Sequence, residues 1–75
     1  MEATEIVGRL EDRVLNAIER NPHVPGRNLR FETESGRVTL HGVVRSYFQK
    51  QMAQEAIRGI EGVAEIRNEL EVAWR

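Results

Sequence analysis

The chain has 75 residues, 40% hydrophobic and 31% charged, with a formal net charge of −1. That length makes one domain, residues 1–75, whose small core leaves little room for a deep cavity. There is no cysteine, which excludes disulfides and thiolate metal sites, and a charge so near neutral gives no global pull toward DNA or anionic lipid.

No apolar run approaches the roughly 20 residues of a membrane span, so no transmembrane segment is expected. The start, Met1-Glu2-Ala3-Thr4-Glu5, is acidic and lacks an apolar signal core. A complete chain of this kind stays in the cytoplasm where it is made. An excised domain is compatible with the periplasm or envelope, because a signal or anchor would have been left off.

The charges are unevenly spread. Residues 1–19 carry two basic side chains against five acidic, residues 20–58 seven against three, and residues 59–75 two against four. Such asymmetry is ordinarily a set of solvated surfaces. Its sharper reading is a basic central face for anionic partners.

Residues 4–20 read as a helix. Ile6, Val7, Leu10, Val14, Ala17 and Ile18 fall on one stripe at helical spacing. Thr4 is placed to cap it, since its oxygen can accept from an orphan amide of the first turn. Asn21-Pro22 ends it, because proline disfavours helical geometry at the preceding residue. Leu15 lies off the stripe, either flanking the core or making an exposed apolar contact. Residues 21–28 hold both prolines and form a loop.

Leu29, Phe31 and Thr33 then alternate with Arg30, Glu32 and Glu34 in a strand pattern. Ser35-Gly36 is a two-residue hairpin turn. The implied register sets Phe31 against Leu40 and Arg30 against His41. A slip of one residue would turn Phe31 and Leu40 to water. Gly42 interrupts the inward row and points to a bulge or a close backbone approach. Ser46 and Gln49 have the spacing of a capping box, which opens a helix over about 47–60. Its inner face is Met52, Ala53, Ala56, Ile57 and Ile60, with Phe48 at the margin. Gly62 is placed to end that helix in a left-handed conformation. The last strand runs from about Val63 to Trp74, with Ile66, Asn68, Leu70, Val72 and Trp74 on one face.

The expected fold is α+β: a two-layer sandwich in the order α-β-β-α-β, with two helices on one face of a three-stranded sheet. A right-handed crossover through the second helix makes the last strand parallel to the second if it adds beside it. The mixed sheet is favoured over an antiparallel one.

These residues resemble the BON domain, a bacterial module named for osmotically induced and nodulation proteins. The family pattern is similar to Asn21-Pro22, Gly36, Val38, Leu40, Gly42, Val44, Ser46, Ala53 and Ala56, closing with Gly62, Val63, Ile66, Asn68, Leu70 and Val72. Ile66 stands where valine is usual. The resemblance implies the same fold and a role in binding phospholipid or anchoring proteins at the bacterial envelope. Gly36, Val38, Leu40, Gly42, Gly62 and Asn68 are its structural signature rather than a site.

No catalytic set is visible, and no enzyme activity, cofactor or metal is expected. Ser35 and Ser46 have turn and cap positions, and neither has a predicted histidine within the ~3 Å that a nucleophile–base pair needs. His23 and His41 lie on separate elements without ligand spacing. Gly59-Ile60-Glu61-Gly62 matches the nucleic-acid loop of KH domains, but it joins a helix to a strand and its central acid would repel phosphate. The open sheet face, predicted to carry Arg30, Glu32, Glu34, Arg37, Thr39, His41, Val43, Arg67, Glu69 and Glu71, lacks the aromatics of an RNA-binding sheet. Nucleic acid is therefore not an expected partner.

An anionic phospholipid surface needs apolar side chains with basic neighbours. The candidates are Arg45, Tyr47, Lys50, Trp74 and Arg75. The plain alternative is that Tyr47 packs on the loop 21–28 and Trp74 closes the bottom of the core. A second class of function is a protein partner or homo-oligomer joined through an exposed sheet edge.

Overall fold

The computed structural model describes residues 9–24 and 28–73. Its elements are α1 (Leu10–Arg20), β1 (Leu29–Glu34), β2 (Arg37–Val44), α2 (Tyr47–Arg58) and β3 (Glu65–Val72). The sheet order is β1-β2-β3. β1 pairs antiparallel with β2, and β2 pairs parallel with β3. The sheet is therefore mixed, with α2 as the crossover that a parallel neighbour requires.

The hairpin register is the expected one, from Leu29↔Gly42 through Phe31↔Leu40 to Glu34↔Arg37. Both turn residues take positive φ, Ser35 at 51° and Gly36 at 85°. This is the type I′ geometry, whose twist matches that of the flanking strands. The Gly36 carbonyl also accepts from the Ala64 amide at 2.8 Å, so the same turn starts the pairing with β3.

Alternation along β2 buries Val38, Leu40 and Val44 to 1% exposure or less. Val14 and Ile18 of α1, Ala53 and Ile57 of α2, Leu29 and Leu70 complete the core with Val24. Full burial of such an aliphatic side chain stabilises by about 1.5–3 kcal/mol. Phe31 is only half-buried, because β1 is an edge and nothing among the described residues covers its outer side. Val24 was not expected in the core. It is an isolated valine in a Pro/Gly-rich loop, and a single residue carries no periodicity.

Several boundaries differ from the sequence reading. α1 begins at Leu10, since Arg9 is extended (φ −70°, ψ 144°) and is the N-cap residue without a side-chain cap. Thr4, Ile6 and Val7 lie outside the described residues. α2 ends at Arg58, and its C-cap is Gly59 at φ −92°. Gly62 does have positive φ, 105°, but in the following turn rather than at the helix end. β3 is shorter at both ends than residues 63–74, and Trp74 lies outside the described residues.

Glu11 ties α1 to β1. Its carboxylate accepts from its own backbone amide and from the Thr33 hydroxyl, and Arg9 adds a favourable charge. Together these hold its pKa below the ordinary glutamate value against a small opposing effect of desolvation. A carboxyl whose folded pKa is depressed contributes stability that is present above its unfolded pKa and is lost as pH falls through the folded one. Acid titration of the wild-type melt should therefore show a small loss of stability below the usual carboxylate range. Glu11→Gln should remove part of that slope and leave the neutral-pH fold unchanged by circular dichroism.

Gly42 shows why its position takes no side chain. It sits at φ +134°, and a Cβ there would lie 2.0 Å from the Asn28 carbonyl oxygen and 3.1 Å from the Leu29 Cα. The backbone that crosses is the entry to β1, not a helix. Overlap with backbone cannot be relieved by a rotamer change, so a substitution must move the hairpin or strain φ. Gly42→Val should cost about 3 kcal/mol or more, whereas Val43→Thr on the open face should stay within about 1 kcal/mol. Thermal melts of the two variants decide it, and a Gly42→Val melt at or above wild type would refute the close approach.

Candidate functional site

The candidate surface is built where β2 hands over to α2. Ser46 is extended (φ −152°, ψ 160°), and its Oγ accepts from the Gln49 amide at 3.1 Å. Gln49 Oε1 in turn accepts from the Arg45 amide at 2.8 Å. The capping box is thus present, with its return bond one residue earlier than the usual N-cap amide. It fixes the direction in which α2 leaves the sheet, and so fixes where its first turn points.

That first turn puts Tyr47 and Phe48 outward, 64% and 55% exposed. It contains no acidic residue. Val43, 45% exposed, precedes the junction on the open sheet face. Three of the four exposed large hydrophobic residues among the described ones therefore fall within residues 43–48. Arg45 is exposed beside them, and Lys50 is half-buried one turn on. Glu71 stands opposite Val43 in the sheet register and is the acid nearest to the patch in that register.

Phe48 meets the His23 ring edge-on, with centroids 5.3 Å apart and planes at 80°. Tyr47 lines a shallow cavity of about 450 Å³ with Lys50, Gln51, Gln54, Glu55 and Asn68. Phe48 was placed at the margin of the core by its helical position. Its exposure follows from the cap, which swings the first turn past the end of the sheet. Of the sequence candidates, Tyr47 and Lys50 share this cavity, and Arg45 is exposed two residues before Tyr47. Trp74 and Arg75 lie outside the described residues, while the Ala73 amide, just before them, donates to the Val44 carbonyl at 2.7 Å.

Asn68 faces inward, yet it is polar. Its Nδ2 donates to the Lys50 carbonyl at 2.9 Å and to Gln54 Oε1 at 3.2 Å, and its Oδ1 accepts from the Leu70 amide at 3.3 Å. It therefore stitches β3 to α2 below the candidate surface and holds the turn that carries Lys50. Asn68→Ala should cost about 1–3 kcal/mol, because it strips partners from partly buried groups. Asn68→Asp replaces the donating nitrogen with an oxygen facing the Lys50 carbonyl, and should melt no higher than the alanine variant in a denaturation series.

Several other polar side chains have structural neighbours. His41 on the open face lies 3.9 Å from Glu32 and 3.7 Å from Glu69, one carboxylate on each flanking strand. Arg37 lies 3.4 Å from Glu65. Ser35 is in the hairpin turn and Ser46 is at the cap. Among the described residues, no group of three or more His, Cys, Asp or Glu is arranged to hold a metal ion, and no helix is long and apolar enough to cross a membrane.

A family model described as the BON domain matches residues 7–73. No curated protein matches the chain. The match spans nearly all of the sequence and every element above, and the chain belongs to the BON domain family.

Proposed function

We propose that this BON domain is a non-catalytic binding module that docks on anionic phospholipid surfaces of the cell envelope through the β2–α2 junction. The observation that carries the reading is that Val43, Tyr47 and Phe48 are all exposed within residues 43–48 of the junction, with Arg45 exposed among them in the chain and Lys50 half-buried one turn on. Large apolar side chains in water are costly to group without a use, and a patch rimmed by cations fits a membrane interface. Tyrosine suits that depth because its ring is apolar and its hydroxyl wet.

The strength of such docking follows from the parts. Each Lys or Arg near an anionic surface contributes roughly 1 kcal/mol, and the attraction fades within a Debye length. Two cations and two aromatic rings make a weak, salt-sensitive contact. Trp74 and Arg75 follow directly in the chain and belong to the same proposed contact.

Flotation with phosphatidylglycerol and phosphatidylcholine vesicles tests it. Wild type should float with the anionic vesicles at low salt and much less with the neutral ones. Trp74 is the only tryptophan, so its emission should shift to the blue on binding if it enters the interface. The double variant Tyr47→Ala, Phe48→Ala should lose flotation while keeping its fold, and Lys50→Glu should weaken it by about tenfold or more. Failure of the wild type to float at low salt, or undiminished flotation of the double variant, would overturn the reading.

A further inference from the structure

The edge strand β1 carries a pattern that the membrane reading does not use. Its outward row is Arg30, Glu32 and Glu34, and its inward row is Leu29, Phe31 and Thr33. Among the described residues no strand pairs with its outer side, and Arg30 makes no ion pair or hydrogen bond. A row of unpaired backbone groups of this kind is a template for another strand.

When a strand pairs antiparallel with a copy of itself about a two-fold axis, directly opposed residues lie on the same face. The axis must then pass through a residue position. For β1 two such centres keep most of the strand paired. Centring on Glu32 sets that carboxylate against its own copy. Centring on Phe31 sets Arg30 against Glu32 of the second copy, twice, and opposes no like charges. The other edge behaves differently. On β3, centring on Asn68 opposes Glu65 to Glu71, and centring on Glu69 opposes it to itself.

A second observation lies above the same point. α1 packs on β1, and the Thr33 hydroxyl is one of the groups that hold the Glu11 carboxyl below its ordinary pKa, so the flank of α1 that carries Glu11 lies toward β1. Leu15, four residues on, is on that flank and is 45% exposed. The opposite flank faces α2 and the turn after it: Arg13 donates to the Glu61 carbonyl in that turn at 2.7 Å, and Ala17 and Arg20 share a cavity with Ala56 of α2. α1 runs back along β1, because a short loop joins the end of one to the start of the other. One turn from Glu11 toward Leu15 therefore matches the step from Thr33 to Phe31. The half-buried Phe31 and the exposed Leu15 lie together at the edge, where the axis would pass.

From these two observations we infer that β1 is a homodimer interface, in which two copies join antiparallel about Phe31 into a six-stranded sheet. The occupant of the edge is a second copy of this chain. Two Arg30–Glu32 pairs set the register on the open face, and Phe31 and Leu15 with their symmetry mates are covered on the helical face. The inference is argued from the β1 edge and α1 and does not rest on the membrane reading, although Arg30 and Val43 line one cavity on the open face.

Sedimentation over a concentration series up to about 1 mM tests it, with circular dichroism as the check on folding. Wild type should show a concentration-dependent dimer. Arg30→Glu and Glu32→Arg should each weaken it by about tenfold or more, since each turns two attractive cross-strand pairs into two repulsive ones. The chain carrying both changes should dimerise again, because the pairs are restored with their signs exchanged. Leu15→Gln, on the surface of α1, should weaken the dimer without unfolding the monomer. A wild type that stays monomeric at the top concentration would overturn the inference and leave the edge to another occupant, such as the chain's own first residues. So would a dimer indifferent to both single reversals, or a folded double variant that fails to recover.

Discussion

The inner face of β2 is where all five elements meet. Val38, Leu40 and Val44 are fully buried there, with a strand on either side and both helices above. A chain of this length has no second core to fall back on, and without cysteine it has no covalent staple either. The strand's one interruption, Gly42, is what lets the layers close. It admits the Asn28–Leu29 backbone at a distance no Cβ would allow, so the chain turns into β1 directly beside the strand it pairs with. The close approach and the three buried side chains are two sides of one arrangement, since the same alternation puts Gly42 on the inward row.

Much of the fold was legible because it is specified by period and by punctuation. The hairpin register follows from alternation on both sides of Ser35-Gly36, and the structure keeps every pair. The pattern allows β3 to add beside β1 or beside β2; the favoured mixed sheet is the one formed, with β3 parallel to β2 and α2 as the crossover. What misled was termination. Helix ends depend on a few competing local interactions, and Gly59 and Gly62 offered two stops within four residues. The chain takes the nearer as C-cap, at ordinary negative φ, and uses the left-handed freedom of the farther one in the turn that leads to Ala64. The apolar stripe that suggested a longer α1 gives way at Arg9, which is extended. Val24 illustrates the opposite limit: tertiary packing alone makes it a core residue.

The candidate surface was legible in composition but not in geometry. Arg45, Tyr47 and Lys50 lie close in sequence, so their neighbourhood needed no fold to find. Phe48 required one. Helical spacing placed it beside the core, whereas the cap at Ser46 and its return bond through Gln49 start the helix beyond the sheet and leave Phe48 against His23. Asn68 was readable as a signature position, yet its purpose emerges only from its bonds: two tie β3 to α2 at Lys50 and Gln54, and the third, from the Leu70 amide, holds its side chain within β3.

Small two-layer domains have little interior to spend on chemistry, and this one fills its interior with aliphatic side chains alone. Binding is left to what the layers cannot cover: the ends of the sheet, its edges and its open face. On the open face the charges are largely answered within the sheet. His41 stands between Glu32 and Glu69, and Arg37 beside Glu65. Such exposed pairs contribute little stability, but they leave that face without a coherent field to attract a partner. Two features remain unanswered among the described residues. The junction at residues 43–48 carries exposed apolar groups with cations near them in the chain, and the β1 edge leaves Phe31 half-buried and Arg30 without an ion pair or hydrogen bond. Arg30 and Val43 line one cavity on the open face, but Tyr47 and Phe48 belong to α2 and Leu15 to α1, so each property can be altered at a helix residue while the other is kept. That separation allows membrane docking and self-association to be measured as independent properties of one small fold.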